Sequence, residues 1–296
     1  MVKEVKMNEK FSVLMSVYYK ENPIYLKEAM ESIYDKQILK PTEIVLVEDG
    51  KLTEELYQEI NRQKEKLKNI LKIVKLEKNS GLGKALNIGV LNCTNELIAR
   101  MDTDDIAYPN RFKKQIKYLK IHPETDVLGT FMNEFIDSPS NVICIKDAPL
   151  DNIEKYMKYR DPVNHPSVML KKAKVLEAGN YQEVLLNEDS YLWRRMLKKG
   201  AIFKNIPEIL MYFRVSNDTY KRRGGWKYVK AEWELQEKYL ELGVINKFEF
   251  WQNVLLKSVI RLMPNWLRKV VYLKILRKSK SGDKNEDTFY SSRYHI

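Results

Sequence analysis

The sequence predicts an α/β protein: a mostly parallel sheet with helices on both faces. Three observations predict it. Short apolar runs alternate with charged, helix-forming stretches, the runs are apolar throughout, and several end in acidic or turn-forming residues. At 296 residues, 44% hydrophobic and 31% charged, the chain can bury a large core and carry an appendage.

Residues 11–18 are the first β-rich run. Asn22-Pro23 then opens a helix to about Lys36, with proline in the first turn, where no intrahelical N–H is needed. Residues 43–47 form a second buried strand ending at Glu48-Asp49-Gly50. A charged helix spans about 53–68, with Thr53 as candidate cap and Glu54 and Glu55 suiting the positive end of its dipole. Residues 71–76 are a third strand, and Asn79-Ser80-Gly81-Leu82-Gly83 leads into a helix ending near Leu91. A fourth strand, 96–101, follows. Farther on, 109–121 is helical, 126–131 and 142–146 are short strands, and 163–170 is an apolar run with His165 near its start. Glu188-Asp189, within 186–197, stands at a helix N-terminus, and strand 209–215 precedes the basic loop 220–225.

The fourth strand runs into Asp102, Asp104 and Asp105. Clustered carboxylates repel one another and cost desolvation, which a hard divalent cation, Mg²⁺ or Mn²⁺, compensates with oxygen ligands. Parallel strands would bring Tyr18, Asp49 and the 102–105 cluster to one edge, where open sheets bind ligands. The alternative is a solvated loop with Asp105 capping a turn.

Composition narrows the class. No apolar run reaches the ~18 residues of a membrane span, and the charged N-terminus lacks a signal peptide's apolar core. Cys93 and Cys144 have no metal-type spacing and read as core residues in a reducing cytosol. The +12 charge suits an anionic partner. Nucleic acid is not expected, because the basic residues are diluted by 40 acids and concentrate at the C-terminus. Gly81-Leu-Gly-Lys84 is not a phosphate loop, since position 78 is Lys and position 85 is Ala.

Five pieces stand in order: Ser16-Val-Tyr18, Val47-Glu-Asp-Gly50, Gly81-Leu-Gly-Lys-Ala-Leu-Asn87, Asp102-Thr-Asp-Asp105 and Asn187-Glu-Asp-Ser-Tyr-Leu-Trp193. Together they resemble family-2 inverting glycosyltransferases of the GT-A fold, over roughly 11–223. Glu48 and Lys51 stand where that family usually has Asp and Ser. The whole chain is similar to bacterial β-1,3-galactosyl- or glucosyltransferases of O-antigen and capsule assembly.

The resemblance implies roles. Ser16 and Tyr18 would line a base pocket, and Asp49 would accept from uracil N3–H. Asp102 would contact ribose, Asp104 would ligate the metal, and Lys84, Arg100, Arg222 and Arg223 would neutralise phosphates. Asp189 would be the general base, with Glu188 and Trp193 on the acceptor. His165 is an additional metal or phosphate contact. The donor is a UDP-sugar and the acceptor a lipid-linked, polyprenyl diphosphate oligosaccharide. Structural alternatives stand beside these: Glu188-Asp189 as a dipole pair, His165 as a core residue, Arg222 and Arg223 as solvated charge. Two other function classes are a sugar-1-phosphate nucleotidyltransferase and a non-catalytic basic scaffold.

The expected organisation is a catalytic domain over 1–223, with a nucleotide half at 11–105 and an acceptor half at 106–223. A basic amphipathic extension over 224–278 and a polar, disordered tail over 279–296 follow. The extension carries Lys257, Arg261, Arg268, Lys269, Lys274, Arg277 and Lys278, flanked by Trp251 and Trp266. It suits an anionic membrane surface, placing the protein in the cytoplasm on the inner face of the membrane. Packing on the catalytic domain is the alternative.

Overall fold

The computed structural model describes residues 10–216 and 224–274. Strands β1 (Phe11–Val17), β2 (Glu43–Glu48), β3 (Leu71–Lys75) and β4 (Leu97–Arg100) pair in parallel in the order β3-β2-β1-β4. Helices α1 (Pro23–Ile33), α2 (Glu54–Leu67) and α3 (Leu82–Asn92) make the crossovers. The Asn22 side chain caps α1 by accepting from Ile24 N at 2.8 Å, and Thr53 caps α2 by accepting from Leu56 N at 3.4 Å.

Both faces of these strands are covered, which explains their unbroken apolar runs. Val13, Met15, Ile44 and Leu46 meet Leu26 and Met30 of α1 and Leu56 and Ile60 of α2 on one face. Leu14, Val45 and Val47, one residue out of step, meet Leu86 and Val90 of α3 on the other. Gly89 lets α3 approach this closely, because a Cβ there would collide with Leu14.

The sheet continues through β5 (Ile106–Ala107), β6 (Val127–Phe135), β7 (Val142–Lys146), β8 (Met169–Lys171) and β9 (Phe203–Arg214). Its order is β3-β2-β1-β4-β8-β6-β9-β5, with β7 also on β6. The parallel expectation holds for the first four strands and for β6 with β9. The pairs β4–β8, β6–β8, β6–β7 and β5–β9 are antiparallel. Helices α4 (Arg111–Ile121), α5 (Ile153–Met157), α6 (Lys172–Glu177) and α7 (Glu188–Lys198) complete this part.

Several boundaries differ from the expectation for physical reasons. Only the end of the 163–170 run is strand, because residues 165–167 around Pro166 form a 3₁₀ turn. Strand β9 begins at Phe203, well before the expected 209. Its ladder with β6 jumps from Ile206 to Ile209, so Pro207, which has no N–H to offer, lies in a bulge. The short elements β5, α5 and α6 carried no readable period.

Three helices end the described chain: α8 (Trp226–Glu241), α9 (Lys247–Leu262) and α10 (Asn265–Lys274). A capping box between Asn246 and Glu249 starts α9. Leu235 and Tyr239 pack on Phe250, Val254 and Val184 in a separate small core. Polar contacts tie this layer to the segment below the site: Lys158 donates to Glu249, and Asn253 donates to the Lys158 carbonyl, each at 2.8 Å. Among the described residues, no helix is long and apolar enough to cross a membrane.

Candidate active site

Parallel pairing carries the ends of β1, β2 and β4 to one edge. There the ligand oxygens of Asp102, Asp104 and Asp105 lie within 4.8 Å of one another. Burial and the Asp102 charge push Asp104 up to about 6, and burial with both neighbours pushes the fully buried Asp105 well above its usual range. Asp105 Oδ1 accepts from Arg214 N at 2.8 Å, whereas the buried Oδ2 has no hydrogen-bond partner. An all-oxygen, under-compensated donor set fits a hard divalent cation.

Arg100 acts by its charge on this cluster and on a second acidic group. It pairs with Asp102 and is 3% exposed, yet its Nε and Nη1 have no hydrogen-bond partner. The carboxylates it acts on are Asp104 and Asp105 in the first and Glu188 and Asp189 in the second. A buried guanidinium thus keeps two donors unused while its charge is felt by both sets of carboxylates.

Asp49 has protein partners for both oxygens. It accepts from Ser80 N at 2.7 Å, Gly81 N at 3.0 Å and Asn79 Nδ2 at 3.1 Å. The carboxylate thereby fastens the turn that leads into α3. Ser16 and Tyr18 are half-buried at the end of β1, and Thr103 Oγ1 donates to the Ser16 carbonyl at 3.5 Å. Lys84 is exposed on the first turn of α3. That turn sits against α7, since a Cβ on Gly83 would lie 3.0 Å from Glu188 Cβ.

Glu188 and Asp189 open α7, as expected. Asp189 Oδ1 accepts from its neighbour Ser190 N at 2.8 Å. Burial and the charges of Asp161 and Glu188 push its carboxyl up to about 7, against the opposing pull of Arg100. Asp161 is held by Ser190 Oγ at 2.7 Å and by the buried Arg194, whose guanidinium stacks on Tyr239 of α8 at 4.5 Å.

Two expectations are corrected here. Trp193 has no exposed surface; it lies edge-on to His165 and Phe203 in the core and cannot stack on an acceptor sugar. It shares the buried side of α7 with Leu192 and Met196, which pack in the same core. His165, expected as a metal or phosphate contact, does not join the acidic cluster: Nε2 lies 2.8 Å from Tyr181 Oη and Nδ1 lies 3.6 Å from Asp189 Oδ2. Arg222 and Arg223 lie outside the described residues.

Sequence reasoning missed Arg214. Its Nε donates to the Asp104 carbonyl at 2.8 Å, Nη1 to the Asp137 carbonyl at 2.8 Å, and Nη2 to Glu28 at 2.6 Å. Its guanidinium also stacks on Tyr25 at 3.8 Å. One side chain thus braces the acidic turn against α1 and the β6–β7 hairpin. No local motif marks it, because its partners are distant in sequence.

Comparison with known proteins accounts for this arrangement. The family model described as glycosyl transferase family 2 matches residues 12–176. A UDP-Gal:alpha-D-GlcNAc-diphosphoundecaprenol beta-1,3-galactosyltransferase of Escherichia coli is 38% identical over 91% of this chain and 97% of its own. The amylovoran biosynthesis glycosyltransferase AmsE of Erwinia amylovora is 41% identical over 89% and 98%. Staphylococcus aureus TarS 1-349, solved with UDP-GlcNAc, shares the fold with a TM-score of 0.61. It is 20% identical over 90% of this chain and 76% of that one. The chain is a glycosyltransferase that belongs to family 2 and has a GT-A-like fold.

Proposed function

We propose that this chain transfers a hexose, with galactose or glucose favoured, from a UDP-sugar to a lipid-linked oligosaccharide during surface polysaccharide assembly. The observation that carries the reading is the Asp102–Asp104–Asp105 cluster, its ligand oxygens within 4.8 Å of one another, with the Glu188–Asp189 pair opening α7 against the first turn of α3. The E. coli relative's name supplies the donor and the diphospholipid class of acceptor.

In this reading Ser16, Tyr18 and Asp49 form the nucleotide end, the last through the turn it fastens. Asp104, with its neighbours in the cluster, would hold Mg²⁺ or Mn²⁺, and the ion would supply Lewis-acid stabilisation of the departing diphosphate. Asp102 faces ribose, and Lys84 and Arg100 face phosphate oxygens. The acceptor oxygen attacks the anomeric carbon opposite the diphosphate. A new C–O bond forms as the bond to the β-phosphate oxygen breaks, and its electron pair leaves with UDP. The hydroxyl proton passes to Asp189, which becomes a neutral carboxylic acid and returns it to water. A single displacement inverts the centre, so an α-linked donor yields a β-glycoside.

The outer face of α9 supports docking on a membrane surface. Phe248, Trp251, Leu255, Val259 and Leu262 repeat at helical spacing and are 46–77% exposed. Trp226 and Trp266 flank them, exposed at 75% and 69%. Of the cations expected there, the three whose side chains are described have partners within the fold. Lys257 and Arg261 pair with Glu232, and Arg268 donates to carbonyls of α9 and the following turn. Apolar and aromatic insertion therefore contributes more than charge at this face.

The test is donor turnover in a panel of UDP-, GDP- and dTDP-sugars with Mn²⁺ or EDTA. Metal-dependent turnover of one UDP-hexose, lost in Asp104→Ala, fits the proposal. Binding of no sugar nucleotide contradicts it.

A further inference from the structure

We infer that His165 is a positioning residue for the transfer step, held by Tyr181 on one side so that its other ring nitrogen orients the carboxylate of Asp189. The inference rests on Asp189 being the base. The geometry supplies a chain of three side chains. Tyr181 Oη lies 2.8 Å from His165 Nε2, and His165 Nδ1 lies 3.6 Å from Asp189 Oδ2. His165 is 9% exposed and Tyr181 3% exposed, and the buried Trp193 backs the imidazole at 5.7 Å.

The surroundings keep the phenol protonated and the imidazole neutral, and we take the tautomer in which the phenol donates to Nε2. Burial, with Asp189, Glu188 and Asp102 nearby, keeps the Tyr181 phenol protonated despite Arg100. Burial, with Arg100 and Lys146, holds the imidazole neutral. A neutral ring carries one N–H. With the phenol donating to Nε2, that proton sits on Nδ1 and faces the carboxylate. Asp189 Oδ1 accepts from Ser190 N, and His165 Nδ1 is the ring nitrogen nearest Oδ2. The 3.6 Å separation is longer than a hydrogen bond, as catalytic contacts often are before substrate binds.

A neutral partner suits the task. A cation at the same place would fix the carboxylate equally well but stabilise its charge and weaken it as a base. An imidazole N–H fixes its rotation while leaving its proton affinity high. The 3₁₀ turn around Pro166 gives the ring a rigid mount.

Three variants test this against the transferase assay, with UDP affinity in Mn²⁺ measured by calorimetry as the check on folding. His165→Gln, whose amide reaches toward Tyr181 rather than Asp189, lowers kcat by about 10- to 100-fold with donor KM and UDP affinity unchanged. His165→Asn, whose amide nitrogen takes the Nδ1 position, recovers most of that loss. Tyr181→Phe, which frees the tautomer, costs about 3- to 10-fold in kcat. Unchanged kcat in His165→Gln, with Asp189→Asn inactive, overturns the role of His165 alone. A parallel loss of kcat, KM and UDP affinity overturns it in favour of a structural role. Full activity in Asp189→Asn would instead remove the base assignment, and the inference with it.

Discussion

The Asp189 carboxyl, pushed up to about 7 by burial and by the Asp161 and Glu188 carboxylates, has the proton affinity that the proposed base needs near neutrality and is a burden on the fold. Its folded-state proton affinity exceeds that of the unfolded chain. Stability therefore falls as pH climbs from about 4 through about 7, and the loss is complete above it. Asp189→Asn removes that burden. The variant should lose about 10³-fold or more in kcat, keep its UDP affinity, and gain a few degrees in Tm at pH 8 by calorimetry. In the wild type, kcat should fall below pH 7 on the acid limb, since only the anion accepts the hydroxyl proton. The residues that announced themselves in sequence, Asp102, Asp104, Asp105 and Asp189, are those whose chemistry shows as local clustering. Arg214, Tyr181 and Asp161 were silent, because their partners lie far away along the chain and only folding assembles them.

At the scale of elements, the turn between β3 and α3 is held by Asp49 and by the shape of Gly50. Gly50 has φ of +84°, and a Cβ there would run into the backbone of Asn79. Asp49→Ala should lower urea stability by about 2–4 kcal/mol, the cost of leaving two backbone N–H groups and an amide without their anion. Gly50→Ala should cost at least about 1–3 kcal/mol from strain and overlap, and weaken UDP binding through the displaced turn. The parallel half of the sheet was legible, because two-sided burial forces unbroken apolar strands and capped crossover helices. The second half was less so. Its strands mix one parallel pair, β6 with β9, with antiparallel ones, Pro207 interrupts the longest of them, and elements of two to six residues fall below the length at which a period can be read.

Across the whole molecule, the catalytic sheet and the C-terminal helices meet at the segment bearing Lys158 and Asp161, beneath the base. A surface that docks α9 on lipid would then hold the site close to a lipid-linked acceptor. Replacing Phe248 and Trp251 together by Ser should reduce binding to phosphatidylglycerol-containing vesicles about tenfold or more in a flotation assay, through lost apolar burial. Lys257→Gln should change vesicle binding little, because its ammonium is committed to Glu232. The amphipathic character of these helices was legible in sequence. The pairing of Lys257 and Arg261 with Glu232 was not, because that carboxylate lies on the neighbouring helix. The central claim, a metal–nucleotide site at the Asp102–Asp105 edge serving sugar transfer, is tested most directly by donor turnover. Wild type and Asp104→Ala would be compared across the sugar-nucleotide panel with Mn²⁺ or EDTA. The account predicts one UDP-hexose turned over only with metal, and turnover abolished by the substitution. Metal-independent turnover, or full activity in Asp104→Ala, would contradict it.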